Sequence, residues 1–148
     1  MIFKLRTFKE FTNTELYRVL QLRSEVFVVE QNCAYQDMDG KDDEALHLVG
    51  FKESEIAAYA RLLKPGMAYK EAAIGRVVVA QKYRVKKYGK ELMNKAIAET
   101  IEKFGVTEII VSAQKYLEKF YTDSGFVTES EVYLEDNIPH IKMRYIKK

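Results

Sequence analysis

One cysteine, Cys33, stands in the whole chain, so no internal disulfide can form, and no zinc-type spacing of Cys and His is present; no metal site is expected. That usage fits a reducing compartment, and a cytoplasmic location is expected. Tryptophan is absent, and the two prolines, Pro65 and Pro139, fall at expected strand boundaries and not in a linker. No run approaches the roughly 20 apolar residues of a membrane span, and the N-terminal MIFKLRTFKEF interrupts its apolar residues with Lys4, Arg6 and Lys9. Neither a signal core nor a membrane partner is therefore expected. A charge surplus is missing too: 24 basic against 22 acidic residues leave +2, which argues against nucleic acid as a partner and makes any anion site a local one.

What is present suits one core: 148 residues with 47% hydrophobic content, no repeat and no low-complexity segment, so residues 1–148 read as a single domain. Ile2 to Phe8 alternates as a strand, and Thr12 with Glu15 forms a capping-box pattern before a helix carrying Leu16, Val19, Leu20, Val26 and Phe27. The polar stretch from Gln31 to Glu44 reads as a binding loop. Strands are expected at 45–51, 56–63 and 72–80, then a helix over 84–104 stopped by Gly105, a strand over 106–113, a short helix over 115–122, and strands at 126–134 and 138–146. The order β-α-β-β-β-α-β-α-β-β predicts an α/β (mixed α+β) fold. Its mixed, mostly antiparallel sheet of about seven strands has one parallel pair made by the crossover around the long helix.

The run RVVVAQKYRVKKYGKEL, Arg76 to Leu92, sets a problem. Lys82, Arg84, Lys86, Lys87 and Lys90 gather where a helix begins, although that end already carries partial positive charge. An anion resolves the conflict, and a phosphate suits outward first-turn N–H groups beside a glycine, Gly89. Neither GxxxxGK[ST] nor GxGxxG is present.

The stretch resembles motif A of the GNAT acetyltransferases, in which an apolar strand leads to [Q/R]-x-x-G-x-[G/A]. Here it reads Arg84-Val85-Lys86-Lys87-Tyr88-Gly89, with Lys87 at the place of the first glycine. The resemblance implies that Val77, Val78 and Val79 pair with the pantetheine of acetyl-CoA as a pseudo-strand. It also implies that Arg84 to Lys90 hold the pyrophosphate, with Gln114 counted in the same cradle. Downstream, AQKYLEKFYTDSGF resembles the family's FYxxxGF segment, whose tyrosine, Tyr121 here, protonates the departing thiolate. A phenol of pKa near 10 is chemically suited to that transfer. LRSEVFVVEQNCAYQDMDGKD, IGRVVV and EVYLEDNIPHIKMR narrow the resemblance to the ElaA-like branch of the superfamily.

An amine must lose a proton before it attacks a thioester. Glu30, after the apolar VFVV, ranks first as proton acceptor, with His47 and His140 as alternatives for which a structural role is the more usual one. Arg23, Gln31, Asp37 and Asp39 are the further acceptor-side candidates. The DMDG piece fails the EF-hand register, because Tyr35 and Leu46 fall where the first aspartate and the final glutamate belong. Cys33 reads as a loop or interface thiol and not as a covalent nucleophile. The expected function is therefore transfer of an acetyl group from acetyl-CoA to a primary amine, on a small molecule or a protein, in a ternary complex. A non-catalytic acyl-CoA-binding or regulatory module is the alternative. A homodimer through the final strands is compatible with the pattern.

Overall fold

The computed structural model describes residues 1–84 and 87–148. The strands are β1 (Ile2–Thr7), β2 (Leu46–Lys52), β3 (Glu55–Leu63), β4 (Ala72–Val79), β5 (Glu108–Gln114), β6 (Val127–Thr128), β7 (Tyr133–Glu135) and β8 (Ile138–Ile146); the helices are α1 (Asn13–Ser24), α2 (Tyr88–Phe104) and α3 (Glu118–Asp123). They build one eight-stranded sheet of order β1-β2-β3-β4-β5-β8-β6, with β7 also on β8. Only β4 and β5 run parallel among the paired strands, joined by the α2 crossover.

Helix α1 starts at the expected capping box: Thr12 Oγ1 accepts from the Glu15 N–H at 3.0 Å, and Glu15 Oε1 accepts from the Thr12 N–H at 3.1 Å. Its continuation, Glu25–Glu30, widens into a π-helix in which the N–H groups of Gln31 and Cys33 donate to the carbonyls of Val26 and Val28. Gly105 adopts φ 62° and closes α2, as its position predicted.

Side-chain alternation divides the core between the two sheet faces. Ala58, Ala60 and Leu62 of β3 pack with Leu92, Met93, Ala96 and Ile97 of α2, joined by Tyr121 and Phe126. Tyr59, between them, points the other way and packs with Val19, Leu22 and Val26 under α1, alongside Val49 and Val78.

Two boundaries differ from expectation. Helix α2 begins at Tyr88 and not at Arg84, and Gln81–Tyr83 forms a separate 3₁₀ turn ahead of it. Lys82 Nζ and the Tyr83 hydroxyl both reach Glu55 in that turn, at 2.6 and 2.7 Å. The expected strand over 126–134 is two short strands, β6 and β7, because the Lys142 N–H donates to the Ser130 hydroxyl at 2.9 Å in place of a backbone carbonyl.

Candidate active site

The parallel pair β4–β5 lasts for two residue pairs, Ala72 with Ile109 and Ala73 with Ile110. Beyond them β5 stays on β8 as far as Gln114 while β4 stays on β3 as far as Val79, so the two strands separate and leave a gap in the middle of the sheet. A cleft of about 730 Å³ fills that gap. A bulge in β4 assists the separation: Tyr59 opposes Val78 and Arg61 opposes Gly75, which leaves Arg76 and Val77 against Ala60 alone. Arg76 takes φ 49°, a left-handed conformation that costs a non-glycine residue about 1 kcal/mol or more.

The strand geometry determines which amides face the cleft. The Ala80 N–H donates to the Ala57 carbonyl at 2.8 Å, so in an antiparallel ladder the adjoining pair, Val79 and Ala58, is of the non-hydrogen-bonded kind. The N–H and C=O of Val79 therefore point away from β3 toward the gap. Val78 lines the cleft but spends its backbone on β3. The outward carbonyl of Val79 accepts from Arg84 Nε at 2.9 Å, while its N–H is left facing the cleft.

The α2 side of the cleft is cationic. Arg84, Lys87, Gly89 and Lys90 line it at the N-terminus of a 17-residue helix, with Tyr88 at the first helical position. Lys87 sits at φ −78°, ψ 30°, so the lysine at the motif's glycine place needs no left-handed backbone. A Cβ on Gly89 would meet Phe120 at 3.3 Å and Val79 at 3.9 Å, in the groove between helix and strand. Val85 and Lys86, also expected in this cradle, lie outside the described residues.

Tyr121 lines the same cleft from α3, with its ring edge-on to Phe120 and Phe126 and 6% of its surface exposed. Burial first, and the neighbouring Tyr116 second, push its phenol far above the ordinary value, so it holds its proton at neutral pH.

Expected acceptor-side residues divide into two groups. Glu30, Gln31 and His140 line the cleft. Glu30 holds Arg84 in a two-pronged pair at 2.6 and 3.1 Å, so each carboxylate oxygen is already engaged. Gln31 accepts from Gln114 Nε2 at 3.2 Å across the mouth. Arg23, Asp37, Asp39 and His47 lie instead in a network behind the cleft. Arg23 meets Asp37 at 2.7 Å and Asp42 at 2.8 Å; Arg61 meets Asp39 at 2.7 Å and Asp42 at 3.1 Å; Arg76 meets Asp37 at 2.7 Å. This network fastens the 31–45 loop to the sheet. Burial opposes the charges, but the guanidinium hydrogen bonds prevail and hold Asp39 and Asp42 well below the usual carboxylate range. His47 is buried, bonded through Nδ1 to the Tyr59 hydroxyl at 2.6 Å and through Nε2 to the Asp42 carbonyl at 2.8 Å. Desolvation lowers its pKa.

Sequence reading missed Tyr35, Tyr69, Arg76, Ser112 and Glu135, all of which line the cleft. By alternation, Val111 and Ala113 of β5 and Ile141 and Met143 of β8 face the α2 core, so Ser112, Gln114 and His140 project from the opposite face. The cleft thus passes through the sheet, with cations and Tyr121 on the α2 face and a carboxylate-bearing cluster on the other.

Comparison with known proteins gives a consistent picture. A family model described as an acetyltransferase (GNAT) domain matches residues 6–147. Protein ElaA of Escherichia coli strain K12 is 43% identical over 136 residues, covering 90% of this chain and 89% of ElaA. Among solved structures, an acyl-CoA N-acyltransferase of Pseudomonas aeruginosa superposes with a TM-score of 0.90 at 40% identity, covering 98% of this chain and 99% of that one. Escherichia coli ElaA gives the same TM-score of 0.90 and 40% identity, with coverage of 97% and 98%.

Proposed function

The chain belongs to the GNAT acetyltransferase family, and from that premise we infer that residues 1–148 form one N-acetyltransferase domain that carries an acetyl group from acetyl-CoA directly to a primary amine. The observation that carries this reading is the coincidence, in one cleft, of an outward amide at Val79, a cationic helix start and a buried protonated phenol.

Acetyl-CoA supplies the thioester and an adenosine diphosphate anion; the remaining work falls to the chain's own residues. The amides of Tyr88 and Gly89 at the start of α2 bind phosphate oxygens, and Lys87 and Lys90 neutralise them. The Val77 backbone and the Val79 carbonyl offer a strand edge for the pantetheine amides. The Val79 N–H polarises the thioester carbonyl, where a fixed donor acts most strongly in a site without water. Glu30 positions Arg84, which anchors the turn between β4 and α2 through the Val79 carbonyl. Tyr121 protonates the departing sulfur.

The test is to follow CoA thiol release with a panel of primary amines and to identify the products by mass spectrometry. One N-acetylated amine per thiol released is the expected result. Saturable acetyl-CoA binding with thiol release unlinked to any N-acetylated product contradicts the reading.

A further inference from the structure

On the face of the sheet opposite Tyr121, Tyr133, Ser112 and Glu135 form a chain of hydrogen bonds across β5 and β7 that ends beside His140 of β8. The Tyr133 hydroxyl lies 2.5 Å from Ser112 Oγ, Ser112 donates to Glu135 Oε1 at 3.1 Å, and Glu135 Oε2 stands 3.4 Å from His140 Nε2. Tyr133 also stacks on the His140 ring, with centroids 6.2 Å apart and planes 22° from parallel. Ser112, Glu135 and His140 line the cleft.

The other nitrogen of His140 fixes the tautomer. Nδ1 lies 2.7 Å from the Ile138 carbonyl oxygen, which can only accept, so Nδ1 carries a hydrogen. In the neutral ring Nε2 is then a bare lone pair, and it faces a carboxylate oxygen. Two acceptors at this separation repel each other unless the ring itself is protonated or a donor group comes between them, and among the described residues no other side chain donates to Nε2. A cationic ammonium supplies that donor. Its nitrogen can give one hydrogen to each acceptor.

We propose that Glu135 and His140 together form the proton-accepting subsite of the cleft, specific for a primary amine that arrives as its ammonium ion. This rests on the acetyltransferase reading. The incoming R–NH₃⁺ passes one proton to His140 Nε2, and Glu135 stabilises the resulting imidazolium. The freed nitrogen lone pair forms the C–N bond as the C–S bond breaks and its electrons go to sulfur. A second proton leaves the nitrogen and replaces the one that Tyr121 gives to sulfur; His140 returns the first to solvent. The ionisable groups facing His140 are Glu135 and Tyr133 from β7. Asp136 stands in the following turn, its carbonyl accepting from Cys33 Sγ at 3.3 Å, and Tyr69 stands on the segment before β4.

Ethylamine, ethanolamine, putrescine and lysine serve as probes, with Glu135→Gln and His140→Gln beside the wild type. Each variant should lose about a hundredfold in kcat/KM near neutrality. The deficit should narrow as the pH rises, since a free amine needs no base, with acetyl-CoA affinity unchanged within about twofold. Loss parallel at every pH, or no loss, overturns the subsite while leaving the acetyltransferase reading intact. Nitrogen-15 spectra of the imidazole ring give a second readout independent of turnover. They should show hydrogen on Nδ1 and a shift of Nε2 on adding ethylammonium that is absent in Glu135→Gln. Hydrogen on Nε2 of the neutral ring contradicts the subsite directly. Failure of the wild type to bind acetyl-CoA is the separate outcome that removes the acetyltransferase reading itself.

Discussion

The two faces of the cleft are built on opposite plans. On the α2 face the parts come from one short length of chain: strand β4, the turn after it and the first residues of α2, with Tyr121 added from α3. Backbone amides and a helix terminus dominate there, and such groups recognise an invariant ligand. On the other face Gln31, Tyr35, Tyr69, Ser112, Gln114, Glu135 and His140 arrive from five separate segments and present side chains to the cleft. Side chains from scattered segments can be exchanged singly without disturbing a backbone cradle. Under the function proposed above, the constant acetyl donor belongs to the first face and the distinguishing acceptor to the second.

The largest expected effect comes from breaking the support of the acceptor face. Arg23 has 0% exposure and joins Asp37 and Asp42, so Arg23→Met leaves two carboxylates short of a partner inside the protein. Unfolding by urea should show a loss of about 3–5 kcal/mol. The 31–45 loop should become protease-sensitive before the rest of the chain does. If the variant keeps its stability, the network does not hold the loop.

Tyr121→Phe separates chemistry from binding on the donor face. The phenol ring stays packed against Phe120 and Phe126, so acetyl-CoA affinity should hold within about twofold while kcat falls about a hundredfold or more. A change in affinity with kcat intact would make Tyr121 a packing residue.

The smallest effect is in pH dependence. His47 has a pKa depressed from its ordinary 6.5, and Asp39 and Asp42 are depressed from 3.8. In each case the unfolded chain takes up protons at a pH where the folded protein resists them. Stability is therefore full above the ordinary value and is lost as the pH falls below it. The Tm should decline gently below about pH 6.5 and steeply below about pH 4, and His47→Gln should flatten the upper part alone. A Tm that rises on acidification contradicts the network's electrostatics.

The same contrast explains what the sequence disclosed. Motif A was legible because its residues are contiguous and its apolar-to-basic step breaks an electrostatic rule. The capping box at Thr12 and the stop at Gly105 were legible for the same local reason. The helix start was misplaced by four residues because Arg84 bonds to Glu30 and Val79, contacts that no local pattern encodes. Arg76 showed no signal, since the bulge that turns it is set by the register of β3. Glu135 lay in the quoted EVYLEDNIPHIKMR, yet its nearness to Ser112 depends on the pairing of β5 with β8. The one available signal was a Glu five residues before a His across an Asp-Asn turn: the hairpin pairs Glu135 with Ile138 and Tyr133 with His140, which leaves Glu135 and His140 diagonal neighbours on one face.

Calorimetric titration with acetyl-CoA is the first test of the proposed donor face. Wild-type protein is measured beside a Lys87→Glu, Lys90→Glu double variant whose changes lie in solvent at the start of α2. Roughly micromolar binding by the wild type, weakened about tenfold or more in the variant and increasingly so at low salt, is the predicted result. Equal binding by both proteins, or none by either, contradicts the account.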